Sequence, residues 1–170
     1  MLKRRHQLNL SLRLPVVENG REQLEVVLEG TSTAEDERAI EAIFAEFGIP
    51  TVVMVEIRKA DIQVPWLVMI SAPLGAFLAV YCAAIAKRLG DDTYDAAKHL
   101  VGRLWQARAA RWGRNGSVVL KDTDARVRLL LDDGLPKEAY QALEELDREA
   151  LKRGDTLRYD AVTGEWRPLK

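Results

Sequence analysis

The chain opens with alternating apolar and polar residues, which is the spacing of a half-buried β-strand. Leucine or valine stands at every even position across residues 8–16. Asn19-Gly20 then supplies the dipeptide favoured in two-residue hairpin turns, because both residues tolerate positive φ. Residues 24–28 alternate in the same way and would form the return strand. We therefore predict an N-terminal β-hairpin.

A helix and a further strand are predicted next. Apolar residues recur at helical spacing over residues 39–47, and Ser32 with Glu35 fits a capping box at the helix start. Gly48 suits the left-handed residue that follows a helix. The run Thr51–Arg58 has apolar residues on both faces, which is typical of a strand inside a sheet rather than at its edge.

The segment Val64–Ala86 contains no charged residue. A stretch this apolar must leave water, either for a protein core or for a bilayer. It is long enough to span a membrane, but positive residues flank both of its ends, and Pro73 removes a backbone donor within it. We predict a long apolar helix buried by protein, with a break at Pro73, and membrane insertion is the alternative. The side chains predicted to be buried are Leu78, Val80, Ala83 and Ile85.

The second half of the chain repeats this combination of helices and hairpins. Asp91, Asp92 and Thr93 offer N-caps for a long helix over about Tyr94–Trp112. The remaining predicted elements are a hairpin from residues 117–121 and 126–131, a helix from Pro136 to about Lys152, and a hairpin from residues 156–160 and 165–169.

These elements predict an α+β fold in a single domain over residues 1–170. The sheet is expected to be mainly antiparallel and built from hairpin-helix-strand units, packed against amphipathic helices and the apolar central helix. Residues 8–58 and 117–160 share their order of elements around the central helices 64–112. A remote duplication and the convergent use of a common unit both explain this. The residues expected to share one core are Leu10, Leu12, Val26, Ile43, Val53, Val55, Leu104, Val127, Leu129 and Leu143.

Composition narrows the classes of function. The chain has 170 residues, 48% of them hydrophobic, and a formal net charge of −1, so no overall positive field would gather nucleic acid. Cys82 is the single cysteine, which excludes an intramolecular disulfide and a cysteine-cluster metal site. A reduced, cytoplasmic location is therefore expected, with membrane association as the alternative.

No catalytic pattern is legible in the sequence. His6 and His99 are not at metal-ligand spacing, and the glycines of residues 113–116 lack the lysine of a phosphate-binding loop. The aspartates at 91–95 and 132–133 are explained more simply as helix caps and turn residues. We predict no enzymatic activity, no metal and no cofactor.

The predicted helix Tyr94–Trp112 carries the best functional surface. Its cations and tryptophans suit contact with a protein, an acidic lipid or RNA, although a charged run can equally be a solvated face whose arginines pair with acids elsewhere. We expect an acidic partner protein, because arginine and tryptophan are enriched at interface hot spots. The proposed contact residues are Arg103, Arg108, Arg111 and Trp112.

Part of the chain resembles a known family. The apolar segment PLGAFLAVYCAAIAKRL, an arginine-rich segment and the hairpin SVVLKDTDARVRLLL, together residues 73–131, look like effector-associated constant component domains. These are small accessory domains of bacterial conflict systems, and they offer no catalytic residues to carry over. The chain departs from that pattern in its helix over residues 92–112 and in its C-terminal helix and hairpin.

We therefore predict a non-catalytic accessory or interaction protein, and the resemblance implies an adaptor component of a bacterial conflict system. A membrane-associated effector or anchor that uses residues 64–86 is the alternative. A protein partner is expected, nucleic acid is disfavoured, and a membrane or a second copy of the chain is left open.

Overall fold

The structure is a computed structural model. It describes residues 17–18, 21–22, 24–29, 32–56, 66–112 and 116–169. The predicted first strand over residues 8–16 lies outside the described residues, and with it the expected core positions Leu10 and Leu12.

Nine strands and five α-helices are assigned within the described residues. The strands are β1 (Val17–Glu18), β2 (Arg21–Glu22), β3 (Leu24–Glu29), β4 (Thr51–Glu56), β5 (Trp66–Ala72), β6 (Gly116–Asp122), β7 (Val127–Leu130), β8 (Thr156–Asp160) and β9 (Glu165–Pro168). The helices are α1 (Ala34–Glu46), α2 (Leu74–Ala76), α3 (Ala83–Leu89), α4 (Thr93–Trp112) and α5 (Lys137–Gln141), with a π-helical segment, Phe77–Cys82, joining α2 to α3.

Seven strands form one sheet in the order β4-β3-β5-β6-β7-β8-β9. Three neighbouring pairs are parallel, β3 with β4, β5 with β6 and β7 with β8. The other three are antiparallel. The fold is thus mixed α and β as expected, but the prediction of a mainly antiparallel sheet is wrong. Each parallel pair is joined through helices, because parallel neighbours need a crossover rather than a tight turn.

The described part of the N-terminal hairpin is the short pair of β1 with β2. Glu18 lies opposite Arg21 in the β1–β2 pair, so two residues connect these strands, as Asn19-Gly20 predicts. The predicted return strand, β3, is instead flanked by β4 on one edge and β5 on the other. Both edges of β3 are therefore occupied, and no hairpin partner can lie beside it.

The position of β4 also differs from the prediction. The apolar residues on its two faces indicated an interior strand, but β4 ends the seven-stranded sheet. Val53 and Val55 pack against the main core, whereas Met54 packs against apolar residues on the opposite sheet face. Burial on both faces does not require a strand on both edges, which is why the apolar pattern misplaced β4.

The apolar segment Val64–Ala86 does not form one long helix. Residues 66–72 form β5 between β3 and β6, and the helical part begins only after Pro73, as the proline predicted. Asp122 fixes this start, since its Oδ1 accepts a hydrogen bond of 3.2 Å from the backbone N–H of Leu74. This strand explains why residues 66–72 carry no charged side chain, because a strand that is buried on both faces has apolar residues at successive positions.

The helical part of this segment is buried on one side only. Leu78 and Ile85 are 5% and 0% exposed, as predicted, and Ala83 is half-buried. Val80 is 58% exposed, so its predicted burial is wrong. Val80 lies two residues from Leu78, which in any helix is the opposite side. Among the described residues, no helix is long and apolar enough to cross a membrane.

Two helix boundaries differ from their predicted positions. The capping box of α1 is made by Thr33 and Asp36 rather than by Ser32 and Glu35. The predicted helix from Pro136 to about Lys152 is shortened to α5, and turns follow it.

One apolar core joins the helices to one face of the seven-stranded sheet. It includes Val26, Ile43, Leu104, Val127, Leu129 and Leu143, with Val53 and Val55 packed against it, as predicted. The other face carries a smaller cluster in which apolar residues lie opposite one another across neighbouring strands. Its members are Met54, Val27, Met69, Val119 and Leu130. Among the described residues, no helix contributes to this second cluster.

Candidate protein-interaction surface on helix α4

Helix α4 is fixed at its N-terminus by polar contacts. The Asp92 Oδ1 accepts hydrogen bonds from the backbone N–H groups of Tyr94 and Asp95, at 2.9 and 3.0 Å. Of the three residues predicted as N-caps, Asp92 is therefore the one whose side chain caps the helix. Lys137, at the start of α5, donates to the Asp92 carboxylate and to Asp95 Oδ2, the latter at 3.0 Å. These contacts join the first turn of α4 to α5. The inner side of α4 is buried in the main core through Ala96, Ala97, Leu100, Val101 and Leu104.

The outer side of α4 borders two adjoining grooves. One groove, of about 320 Å³, lies between α4 and α1, and its walls include the small side chains of Ala39, Ala42 and Ala107. The other, of about 340 Å³, runs along α4 past His99 and Gly102. Arg103 and Gln106 line both grooves. These concave surfaces are shallow and open, which suits contact with a protuberance on another molecule.

Arg103 lies where the two grooves meet, and its charge is paired. Its Nη1 and Nη2 donate to the two carboxylate oxygens of Glu46 on α1, at 3.1 and 2.7 Å. This is a bidentate pair, but both side chains are substantially exposed, so the pair contributes little to stability. A carboxylate on another molecule could therefore exchange with Glu46 at small cost.

Other polar groups surround this pair. Arg88 Nη1 donates to the backbone carbonyl of Glu46 at 2.6 Å, which holds the C-terminal end of α1 against α3. His99 makes an edge contact with the buried Phe47 ring, with centroids 6.3 Å apart. Lys98 is exposed on the same side of α4. The surface thus combines a paired arginine and an exposed lysine around a floor of small side chains.

Arg108 does not belong to this exposed surface. Its side chain is 0% exposed, and the guanidinium carbon lies 4.2 Å from the centroid of the Trp105 ring. Burial lowers the pKa of Arg108, and the negative charge of Asp133 acts in the opposite direction. The sequence showed a basic helix, but it did not show that Trp105 of this helix donates a hydrogen bond to the backbone carbonyl of Leu131 after β7.

For the other two predicted contact residues, the structure describes only the backbone. Arg111 and Trp112 form the last two residues of α4, and their side chains lie outside the described residues. The prediction for these two side chains therefore stays a prediction.

Sequence reasoning missed the residues that complete the surface. Glu46 and Gln106 have no motif around them, and the Ala39 and Ala42 pair on α1 has the small side chains that any helix surface can carry. The signal that was available is charge: an acid near the C-terminal end of α1, where the helix dipole disfavours it, indicates a cationic partner. That partner is Arg103.

The described residues offer little conventional chemistry elsewhere. Burial raises the pKa of the Cys82 thiol to about 12, so at neutral pH this cysteine is a protonated, enclosed packing residue. Among the described residues, no group of three or more His, Cys, Asp or Glu side chains could hold a metal ion. No family model, curated protein or solved structure matches this chain.

Proposed function

We propose that the chain is a non-catalytic interaction protein that binds a partner protein through the outer side of α4 and the adjoining side of α1. The observation that carries this proposal is the pair of grooves that meet at Arg103 and Gln106. Small side chains leave room there for a partner's side chains, and an exposed bidentate ion pair lies beside them.

The charge at the surface defines the partner's chemistry. A partner carboxylate replaces Glu46 on Arg103, and the exposed Lys98 supplies a second attraction. Electrostatic attraction of this kind accelerates association and weakens as salt rises. The partner surface is therefore acidic, with apolar side chains that reach the alanine floor of the α1–α4 groove.

The test is photo-crosslinking from inside the surface. A photoreactive residue replaces Gln106, which lines both grooves, and the matched control carries it at Val162, which is 95% exposed in the β8–β9 turn. We expect discrete crosslinked proteins from position 106 that are absent from position 162. Identical products from both positions would contradict the proposal.

Charge substitutions make the test specific. Arg103→Glu removes the cation and places a second carboxylate beside Glu46, so crosslinking from position 106 is expected to fall. The double variant Arg103→Glu with Glu46→Arg restores an internal pair but exchanges the two charges. Crosslinking that returns in full in the double variant would show that only the internal pair matters, and not the position of the cation.

The role as an accessory component of a bacterial conflict system is a proposal that rests on the resemblance of residues 73–131. The identity of the neighbouring genes tests it, since accessory domains of that family are encoded beside proteases and other effectors.

A further inference from the structure

Helices α1 and α4 lie side by side and carry opposite charge. Helix α1 contains five acidic residues and one arginine. Helix α4 contains four lysines and arginines and one aspartate, and that aspartate, Asp95, already pairs with Lys137. One charge on each helix is buried, Asp36 and Arg108, which leaves the sign of each helix unchanged. The outer surface therefore has an acidic half beside a basic half.

The ion pair between Arg103 and Glu46 shows how the two helices align. Glu46 is the last residue of α1. Ala39 and Ala42 lie earlier in α1, and they share the groove between the helices with Gln106, which lies later in α4 than Arg103. The helices therefore run in opposite directions along this groove, and the two paired charges stand at the same position on its two sides.

A twofold axis along this groove brings two copies of the chain together in a defined way. Such an axis keeps the position of each residue along the groove but exchanges the two sides. Helix α1 of one copy then lies over α4 of the other, so Glu46 of each copy faces Arg103 of the other. The two internal pairs become a ring of four alternating charges, and the acidic half of each copy meets the basic half of its partner.

The groove itself suits this arrangement. Its walls include the small side chains of Ala39, Ala42 and Ala107, and the distance between packed helices falls as the side chains at their contact become smaller. The Arg103 guanidinium has more N–H donors than the two that Glu46 uses, so donors remain for a second carboxylate. The net charge of −1 per chain gives only weak repulsion between two copies.

We propose that the partner of the surface formed by α1 and α4 is a second copy of this chain, packed as a twofold-symmetric dimer. This inference rests on the proposed function, because it names the partner of the same surface. The carboxylate that reaches Arg103 from outside is Glu46 of the other copy. The apolar contacts come from the alanines of the two grooves between α1 and α4, one in each copy.

Sedimentation velocity of the full chain at increasing concentration tests self-association. We expect the wild-type chain to pass from monomer to dimer, and the dimer to weaken as salt rises. Arg103→Glu and Glu46→Arg should each raise the dimer Kd by about tenfold or more, because each sets like charges opposite one another at two symmetric places. Both side chains are exposed, so both variants should keep the wild-type circular dichroism spectrum.

A matched control reverses a charge elsewhere. Arg158→Glu changes an exposed arginine on β8 that also pairs with a carboxylate, that of Asp132. It should leave the dimer Kd unchanged. If it weakens the dimer as much as Arg103→Glu does, the effect comes from the altered net charge, and the α1–α4 interface is wrong.

The double variant Arg103→Glu with Glu46→Arg gives the sharpest result. It should form dimers with itself, because every opposed pair is restored. It should not form mixed dimers with the wild-type chain, because the charges opposed across that interface would be alike. Crosslinking from position 106 of the double variant to wild-type copies should therefore also stay low. Mixed dimers as abundant as the two pure dimers would overturn the inference.

The remaining outcomes separate this inference from the proposed function. If the wild-type chain stays monomeric while position 106 crosslinks to a different protein, the second copy is not the partner and the proposed function stands. If all variants form the dimer as readily as the wild type, its interface lies elsewhere and the inference is wrong. A monomeric chain with identical crosslinked products from positions 106 and 162 would overturn both.

Discussion

The hydroxyl of Thr33 holds the first turn of α1. Its oxygen accepts the backbone N–H of Asp36 at 3.3 Å, and the Asp36 carboxylate accepts the backbone N–H of Thr33 at 2.7 Å. The hydroxyl of the preceding Ser32 is buried and has no hydrogen-bond partner among the described residues. Two adjacent hydroxyl residues thus have opposite roles.

Replacing each of these two residues separates their roles. Thr33→Ala should lower the free energy of unfolding by about 1 kcal/mol, because it removes the cap. Ser32→Ala should leave stability unchanged or raise it, because it removes an unsatisfied buried oxygen. Urea unfolding of both variants provides the measurement. If Ser32→Ala lowers the free energy of unfolding more than Thr33→Ala does, Ser32 rather than Thr33 caps the helix.

The ion pair between Asp92 and Lys137 should make stability depend on pH in a defined window. The hydrogen bond from Lys137 lowers the pKa of Asp92 from 3.8 to about 2, and the backbone N–H groups of Asp95 and Tyr94 act in the same direction. A depressed carboxyl pKa gives stability that is present above pH 4 and is lost between pH 4 and pH 2.

The variant Lys137→Met tests this dependence. The urea midpoint of wild type should exceed that of the variant at pH 6, and the difference should shrink as pH falls from 4 to 2. The carboxylates raise the pKa of Lys137, so the same contribution should also be lost as pH rises beyond 10.5. The effect is small, because Asp92 is exposed and Lys137 is only half-buried. If the difference in urea midpoint between wild type and Lys137→Met stays constant from pH 6 to pH 2, the variant loses stability for a reason other than the ion pair.

At the scale of elements, the segment from β5 to α3 shows how an apolar run divides. Apolar content alone cannot separate a buried strand from a buried helix, so the strand Trp66–Ala72 was not predictable as a strand. The break at Pro73 was predictable, since proline disfavours a helical conformation in the residue before it. The hydrogen bond from the helix start to Asp122 was not predictable, because Asp122 lies far along the chain from Leu74.

The one-sided burial of this helical part gives a paired prediction. Leu78→Asp places a charge where the side chain is 5% exposed, and it should cost several kcal/mol, enough to unfold the chain or nearly so. Val80→Asp places the same charge two residues away, where exposure is 58%, and it should change stability by about 0.5 kcal/mol or less.

Circular dichroism and urea unfolding measure both variants. Equal destabilisation by the two substitutions would mean that Val80 is covered, either by a second copy of the chain or by another molecule. A dependence of the Val80→Asp effect on protein concentration would identify the second copy.

The surface of α4 was predictable as a basic helix but not in its details. The spacing of its apolar residues indicates which side meets the core, and that side does contain Leu104. The hydrogen bond from Trp105 to Leu131 joins α4 to a loop that is distant in sequence, and the pairing of Arg103 depends on the position of α1. Both are consequences of packing between elements, on which helical periodicity carries no information.

At the scale of the whole molecule, one apolar core extends from α1 at one end of the sheet to β9 at the other. A shared core predicts cooperative unfolding. Phe44→Ala and Leu157→Ala each remove a fully buried side chain, and each should lower the free energy of unfolding by about 2–5 kcal/mol.

Both substitutions should shift a single urea transition without changing its slope. Tryptophan fluorescence and far-ultraviolet circular dichroism should report the same midpoint in each variant, since separate probes agree when unfolding is two-state. A variant whose two probes disagree would divide the chain into independently unfolding parts.

The order of the strands also bears on how the chain can fold while it is being synthesised. In the seven-stranded sheet, β4 and β5 each pair with β3, and every later strand pairs with the strand just before it. When each of these strands leaves the ribosome, the strand that it pairs with has therefore already been synthesised and still has a free edge. No finished ladder has to open to admit a later strand, so the sheet can grow outward in step with translation.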